Sequence, residues 1–175
     1  MNLPTPNIEY GLISPMLIVL GAAVLGVLLE AFLPRGRRYA AQVTLSLVAL
    51  VAAFVAVVLI GRDLHGGTGS TAVMGAVTVD MPALFLQGTI LLVGVLGVLL
   101  IGERQIALPT EENASSRGLD AFTPQASAIA GSVVEKLATK AGVIQTEVFP
   151  LTMFAIGGML LFPAANDLLT MFIAL

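Results

Sequence analysis

The chain has 175 residues, of which 57% are hydrophobic and only 11% are charged. A soluble domain carries about 45–50% apolar and about 25% charged residues, so this composition leaves too little polar surface for a water-facing globule. With 8 basic against 11 acidic residues, the charge balance excludes a strongly basic nucleic-acid-binding protein. The absence of cysteine excludes a disulfide or thiolate-metal scaffold. The composition therefore predicts a polytopic membrane protein.

Long apolar runs divide the chain into predicted membrane spans, since about 30 Å of hydrocarbon requires about 20 helical residues. The runs cover residues 13–33, 40–60, 83–101 and 148–165. A last run, 168–175, amounts to about 12 Å of helix and cannot cross. We predict an all-α membrane protein, in which a single domain over 1–175 forms a transmembrane helix bundle of four full spans plus the start of a fifth.

The last run has no polar tail, so we expect the sequence to be the amino-terminal part of a longer protein, interrupted inside its fifth helix. The alternative is an interfacial or re-entrant terminal segment.

Basic residues are unevenly distributed between alternate connections. Loops 34–39 and 102–147 together hold seven Lys or Arg, whereas the connections on the opposite side hold only Arg62. Because Lys and Arg accumulate on the cytoplasmic side, we predict that both loops are cytoplasmic and that the amino terminus is outside. Within the long loop, residues 132–141 fit either a short amphipathic surface helix or a solvated linker.

One carboxylate, Glu30, lies well inside a predicted span, four residues before Pro34. An ionisable group in a span is costly to bury and is therefore a candidate functional residue. One interpretation gives Glu30 a place in a proton path or in a contact between subunits. The alternative is an interfacial carboxylate that pairs with one of the nearby arginines, which are Arg35, Arg37 and Arg38.

Three further polar candidates mark predicted helix ends. Glu147 precedes the fourth helix, whose exposed amide ends favour an anion. Asn166 and Asp167 precede the final run, and either side chain can cap its first amides. Helix-end chemistry is therefore the first explanation of all three. The sequence has no HExxH, CxxC or GxSxG motif, so it predicts neither a metal site nor a catalytic triad.

The carboxyl-terminal stretch 147–175 contains an ordered series of residues: Glu147, Pro150, Gly158-Met159 and Asn166-Asp167-Leu168. In this order and spacing the series closely resembles the fourth and fifth helices of subunit N of the bacterial NADH-quinone oxidoreductase, respiratory complex I. Upstream support comes from Pro15, from Glu30 and from Phe32-Leu33-Pro34.

The resemblance implies the amino-terminal part of an antiporter-like fold. The implied function is that of a proton-translocating, non-redox subunit, which couples NADH oxidation and quinone reduction to proton pumping. In this family the Glu and Lys residues of the proton path would lie beyond Leu175, so no catalytic residue is expected here. Segment 102–147 departs from the family, many members of which have a shorter connection.

The resemblance also implies partners and a location. Quinone, FMN, iron–sulfur clusters and NADH would belong to other subunits, so this subunit would hold no cofactor. The partners would be the other membrane subunits of complex I and the lipid bilayer, in a hetero-oligomer of the bacterial cell membrane. Two alternatives stay open: an antiporter-like subunit of a cation/proton antiporter or membrane hydrogenase, and a small four-helix membrane packing or assembly protein.

Overall fold

The computed structural model describes residues 8–64, 69–102 and 146–175, with the backbone alone for Arg35. Within this part of the chain the helices are α1 (Ser14–Phe32), α2 (Arg35–Asp63), α3 (Met81–Ile101), α4 (Val148–Leu161) and α5 (Leu168–Ala174). Residues 132–141, for which the sequence left both an amphipathic helix and a solvated linker open, lie outside the described residues, as does nearly all of the predicted loop 102–147.

The helices have the length and composition of a membrane bundle. α1, α2 and α3 are long and apolar enough to cross a bilayer, and residues 148–164 form a shorter apolar helix. The shorter helix consists of α4 and one 3-10 turn, Phe162–Ala164. It is about 27 Å long, slightly less than the hydrocarbon thickness of about 30 Å. The predicted fold class, a helical membrane bundle, is confirmed.

The connection between the first two helices is shorter than the predicted loop 34–39. Leu33 and Pro34 are extended, and α2 begins at Arg35. Arginine is a good helix former, and a proline just before a helix removes none of its hydrogen bonds. The basic residues after Pro34 therefore lie in the first turns of α2 and not in a loop.

The stretch 61–81, whose Gly-, Thr- and Ser-rich composition predicts an exposed loop, contains a small β-hairpin. Strands β1 (Ser70–Ala72) and β2 (Val77–Val79) pair antiparallel, with Ser70 opposite Val79. Ala72, Val77 and Val79 are buried, so the hairpin packs against the bundle with one apolar face. The prediction of an exposed loop was wrong for the hairpin, because the two valines of β2 lie on one face of the strand and are buried.

The core lies where the helices meet, with members such as Val19, Leu50, Leu91, Met153 and Leu160. Glycine permits the closest approaches. A Cβ at Gly157 would lie 2.5 Å from Leu20 Cδ2, and a Cβ at Gly94 would lie 2.9 Å from Ile156 Cδ1. Small residues let membrane helices approach in this way. The outside is apolar, with exposed side chains that include Phe32, Phe85, Leu100, Leu151 and Phe172.

The connections lie at two opposite ends of the bundle. At the hairpin end, Val77 of β2 forms a β-bridge with Ala165, between α4 and α5. At the other end, Thr146, just before α4, hydrogen-bonds to Glu30 near the end of α1. The α1–α2 connection and the residue before α4 therefore lie at one end, and the hairpin and the α4–α5 connection lie at the other, as the predicted topology requires. Which end faces the cytoplasm stays a prediction.

Candidate functional site

Glu30 lies in the last turn of α1, where its carboxylate accepts hydrogen bonds from three side chains. Arg38 Nη1 lies 3.1 Å from Oε1 and forms a salt bridge. Gln42 Nε2 and the Thr146 hydroxyl lie 3.3 Å and 2.7 Å from Oε2. The Glu30 side chain is 20% exposed. One carboxylate thus joins α1, α2 and the residue that leads into α4.

Arg38 holds the same end of α1 by a second contact. Its Nε donates to the Leu33 carbonyl at 2.6 Å, while its Nη1 reaches Glu30. A cation is favourable at a helix C-terminus, where carbonyl groups lack partners within the helix. The interfacial ion pair given above as the alternative for Glu30 is therefore present in the structure, with Arg38 as the partner.

Gln42 is the most deeply buried member of the group and is 1% exposed. Its Nε2 donates to the Gly26 carbonyl at 2.7 Å in addition to Glu30, and its Oε1 has no hydrogen-bond partner. A Cβ at Gly26 would lie 3.0 Å from that Oε1 and 3.1 Å from Pro150 Cβ. The three helices α1, α2 and α4 therefore meet at Gly26.

Sequence reasoning missed Gln42 and Thr146. For Gln42 a signal existed: a glutamine one helical turn after Arg38, inside an apolar run, must find a partner within the protein. No such signal pointed to Thr146, because its partner Glu30 is 116 residues away.

Glu147 lies next to Thr146 in the chain but plays a different part. It occupies the position before α4, as expected, yet its exposed side chain makes no capping hydrogen bond. Any benefit at this helix end is therefore limited to the long-range attraction between its charge and the helix dipole.

Asn166 and Asp167 lie at the hairpin end, away from Glu30. Asp167 caps α5, since its Oδ1 accepts from the Thr170 amide. This hydrogen bond holds the pKa of the Asp167 carboxyl below its usual range. Asn166 does not cap: its Nδ2 donates to Gly75 O at 2.7 Å and its amide to Ala76 O at 3.0 Å. It thereby fastens the hairpin to the α4–α5 connection.

Asn166 contacts a strained turn. Val73 and Met74 have φ of 54° and 57°, and Gly75 has φ of 89°. Non-glycine residues rarely occupy this region, and a β-branched residue such as Val73 is a clear outlier there. Asn166 donates to the carbonyl of Gly75 in this turn and to that of Ala76, which follows it.

Gln87, near the start of α3, is a second buried amide. It is 1% exposed, and its Nε2 donates to the Leu160 carbonyl at 2.9 Å. The bond joins α3 to the last turn of α4, where a carbonyl lacks a helical partner.

The Glu30 cluster offers a paired charge and hydrogen bonds. Its acid and its base neutralise each other, and its remaining members are an amide and a hydroxyl. Among the described residues, no group of three or more His, Cys, Asp or Glu side chains is placed to hold a metal ion. The arrangement is suited to holding helices together.

Apolar spans, buried amides that join helices, and an ion pair at a helix end define a polytopic α-helical membrane protein. No protein-family profile matches the chain. Its curated relatives are named NADH-quinone oxidoreductase subunit N, and the chain is homologous to that subunit over its whole length. The predicted resemblance is confirmed.

Three of these relatives show the extent of the similarity. The protein of Mycobacterium tuberculosis is 54% identical over 180 residues, which cover 100% of the chain and 34% of the relative. That of Rhodococcus opacus is 57% identical over 184 residues, covering 99% and 33%. That of a Nocardioides species is 43% identical over 180 residues, covering 100% and 32%. The chain thus spans about a third of the length of these relatives.

Proposed function

We propose that the chain is the amino-terminal part of the proton-translocating, non-redox membrane subunit of an NADH-quinone oxidoreductase. The whole protein would couple NADH oxidation and quinone reduction to proton pumping. The observation that carries this proposal is the 54% identity to a subunit N along 100% of the chain. The apolar helical bundle supports it, because a proton-translocating subunit must cross the membrane.

In this proposal the described helices surround and support the transport path. Their one membrane-embedded acid, Glu30, is already paired with Arg38 and bonded to two further donors. A proton carrier in the membrane must gain and lose a proton. The contacts of Glu30, in contrast, hold its side chain in one fixed arrangement. The residues that move protons would then belong to the part of the protein that follows Leu175.

Orientation and partners complete the proposal. The amino terminus would lie outside, and the Arg-rich start of α2 together with segment 102–147 would lie in the cytoplasm, by the distribution of basic residues. The apolar outside of α1, α3 and α5 would contact lipid and the other membrane subunits. NADH, FMN, iron–sulfur clusters and quinone would bind to other subunits of this hetero-oligomer.

Purification of the full-length protein through an affinity tag, from a bacterial host that carries its gene, tests the proposal. We expect NADH:quinone activity, flavin and iron–sulfur clusters to co-purify with the tag, and not to be recovered from an untagged strain. A purified assembly without NADH oxidation and without flavin would contradict the proposal. It would favour an antiporter or hydrogenase subunit, or a packing protein.

A further inference from the structure

We propose that Glu30, Arg38, Gln42 and Thr146 form a charged clasp that positions the start of α4 against α1 and α2. Glu30 is the acceptor that all three donors share. The clasp goes beyond the proposed function, because it concerns how this chain fixes its own helices and does not depend on the reaction of the assembly.

The acceptor, Glu30, is held in place by contacts within α1 and α2. Arg38 is held from two sides, by the Leu33 carbonyl and by Glu30. Gln42 is likewise held by the Gly26 carbonyl and by Glu30. These contacts fix the Glu30 carboxylate without any help from α4.

Thr146, just before α4, supplies the polar link to this acceptor. It is the first described residue after segment 103–145, and its hydroxyl reaches Glu30 Oε2 at 2.7 Å. Its neighbours in α4, Phe149 and Pro150, are buried apolar residues, and apolar burial by itself is non-directional. A hydrogen bond to a charged acceptor is directional and about twice as strong as one between neutral groups.

The Thr146 side chain is buried. Thr146 is 4% exposed, so water cannot readily replace the carboxylate if the bond to Glu30 breaks. A buried donor left without an acceptor bears its full desolvation cost. The bond therefore favours one position of the α4 start over neighbouring positions, which makes Thr146 a positioning residue.

The test compares two substitutions of Thr146 with opposite expectations. Thr146→Val preserves the shape of the side chain and removes the hydroxyl, whereas Thr146→Ser preserves the hydroxyl and removes a methyl group. Hydrogen–deuterium exchange of the amides of residues 151–153 is measured in the full-length protein in its membrane assembly. We expect exchange about tenfold faster in Thr146→Val and close to wild type in Thr146→Ser.

Thr44→Val is the matched control. The Thr44 hydroxyl donates only to carbonyls of its own helix, at Ala40 and Ala41, and its side chain is exposed. The same chemical change should therefore leave exchange in α4 at the wild-type rate. An exchange rate in Thr146→Val equal to that of wild type would overturn the clasp. An exchange rate in Thr146→Ser as fast as in Thr146→Val would also overturn it, and would indicate that the methyl group holds α4 by packing.

A second pair of variants keeps the proposal testable if Thr146→Val is poorly expressed. Glu30→Gln alone should raise exchange in the first turns of α4, because the neutral amide is a weaker acceptor than the carboxylate. The double variant Glu30→Gln/Thr146→Ser should match Glu30→Gln within experimental error. Exchange in Glu30→Gln that equals wild type would overturn the proposal. These rates can be read whether or not the assembly oxidises NADH.

Discussion

The Thr146 hydroxyl donates a hydrogen bond of 2.7 Å to the Glu30 carboxylate, and so joins two residues that are 116 positions apart in the chain. This contact fixes the start of α4 beside the end of α1, at the end of the bundle where Arg38 neutralises the carboxylate. Glu30, the single membrane-embedded acid of the described helices, therefore makes a structural contact.

Replacement of Glu30 by glutamine should weaken assembly and leave proton pumping per electron intact. The substitution removes the ion pair with Arg38 and weakens the other contacts, with a loss of about 1.5–3 kcal/mol. We expect less assembled complex in native membranes, with an unchanged ratio of protons translocated to NADH oxidised in the complex that remains. A fully assembled complex that oxidises NADH without pumping would make Glu30 a proton carrier and refute the structural role.

A methyl group added at Gly26 should destabilise the bundle. Its Cβ would lie 3.0 Å from Gln42 Oε1 and 3.1 Å from Pro150 Cβ, both in crowded positions. Gly26→Ala should therefore cost about 1–3 kcal/mol, measured as a lower melting temperature of the full-length protein in lipid nanodiscs.

Gly21→Ala, on the same helix, is the control for this effect. No atom lies within 4 Å of the position that its Cβ would take. Alanine in a helix is about 0.5–1 kcal/mol better than glycine, so this variant should melt at the wild-type temperature or slightly above it. If both variants lower the melting temperature equally, the close contact at Gly26 is not its cause.

Loss of the Asn166 side chain should loosen the hairpin. Asn166→Ala removes the bond from Nδ2 to Gly75 O, next to a turn in which Val73 and Met74 have positive φ. One hydrogen bond contributes about 0.5–1.5 kcal/mol. We expect faster amide exchange at β1 and β2 in the variant, while exchange in α1 stays at the wild-type rate. Unchanged exchange in the hairpin would show that the β-bridge to Ala165 holds it without Asn166.

The cap at Asp167 should respond to acid. The hydrogen bond from the Thr170 amide lowers the pKa of Asp167 in the folded protein. A lowered pKa means that the stabilising contribution is present above the unfolded-state pKa, about 3.9, and is lost as the pH falls through the folded value. Exchange of the Thr170 amide, corrected for its intrinsic pH dependence, should therefore accelerate in strong acid. In Asp167→Asn, which keeps an acceptor without a charge, that acceleration should disappear.

The apolar spans could be predicted from the sequence because composition and prolines mark them. α1 covers Ser14–Phe32 against a predicted 13–33, and α3 covers Met81–Ile101 against 83–101. The start of α2 could not be predicted, because the sequence Arg-Gly-Arg-Arg after Pro34 fits both a loop and a first helical turn. The hairpin was missed because two strands of three residues leave little periodicity to detect.

Only some of the contacts in the candidate site could be predicted from the sequence. Pairing of Glu30 with an arginine follows from their spacing around Pro34, and Arg38 is the partner found. The contacts of Gln42 and Thr146 depend on the rotation of α2 and on how α4 packs after a long connection. Neither rotation nor packing is encoded in local sequence spacing, so these contacts required the three-dimensional structure.

Proton translocation driven by NADH is the most direct test of the proposed function. Inverted membrane vesicles are prepared from a strain that lacks the gene and from the same strain with the full-length gene restored. NADH is supplied with a short-chain quinone while the terminal oxidases are inhibited, and proton uptake is followed with a pH-sensitive dye. We expect uptake to be absent without the gene and to return with it. Equal uptake in the two strains would contradict the proposed role in proton pumping.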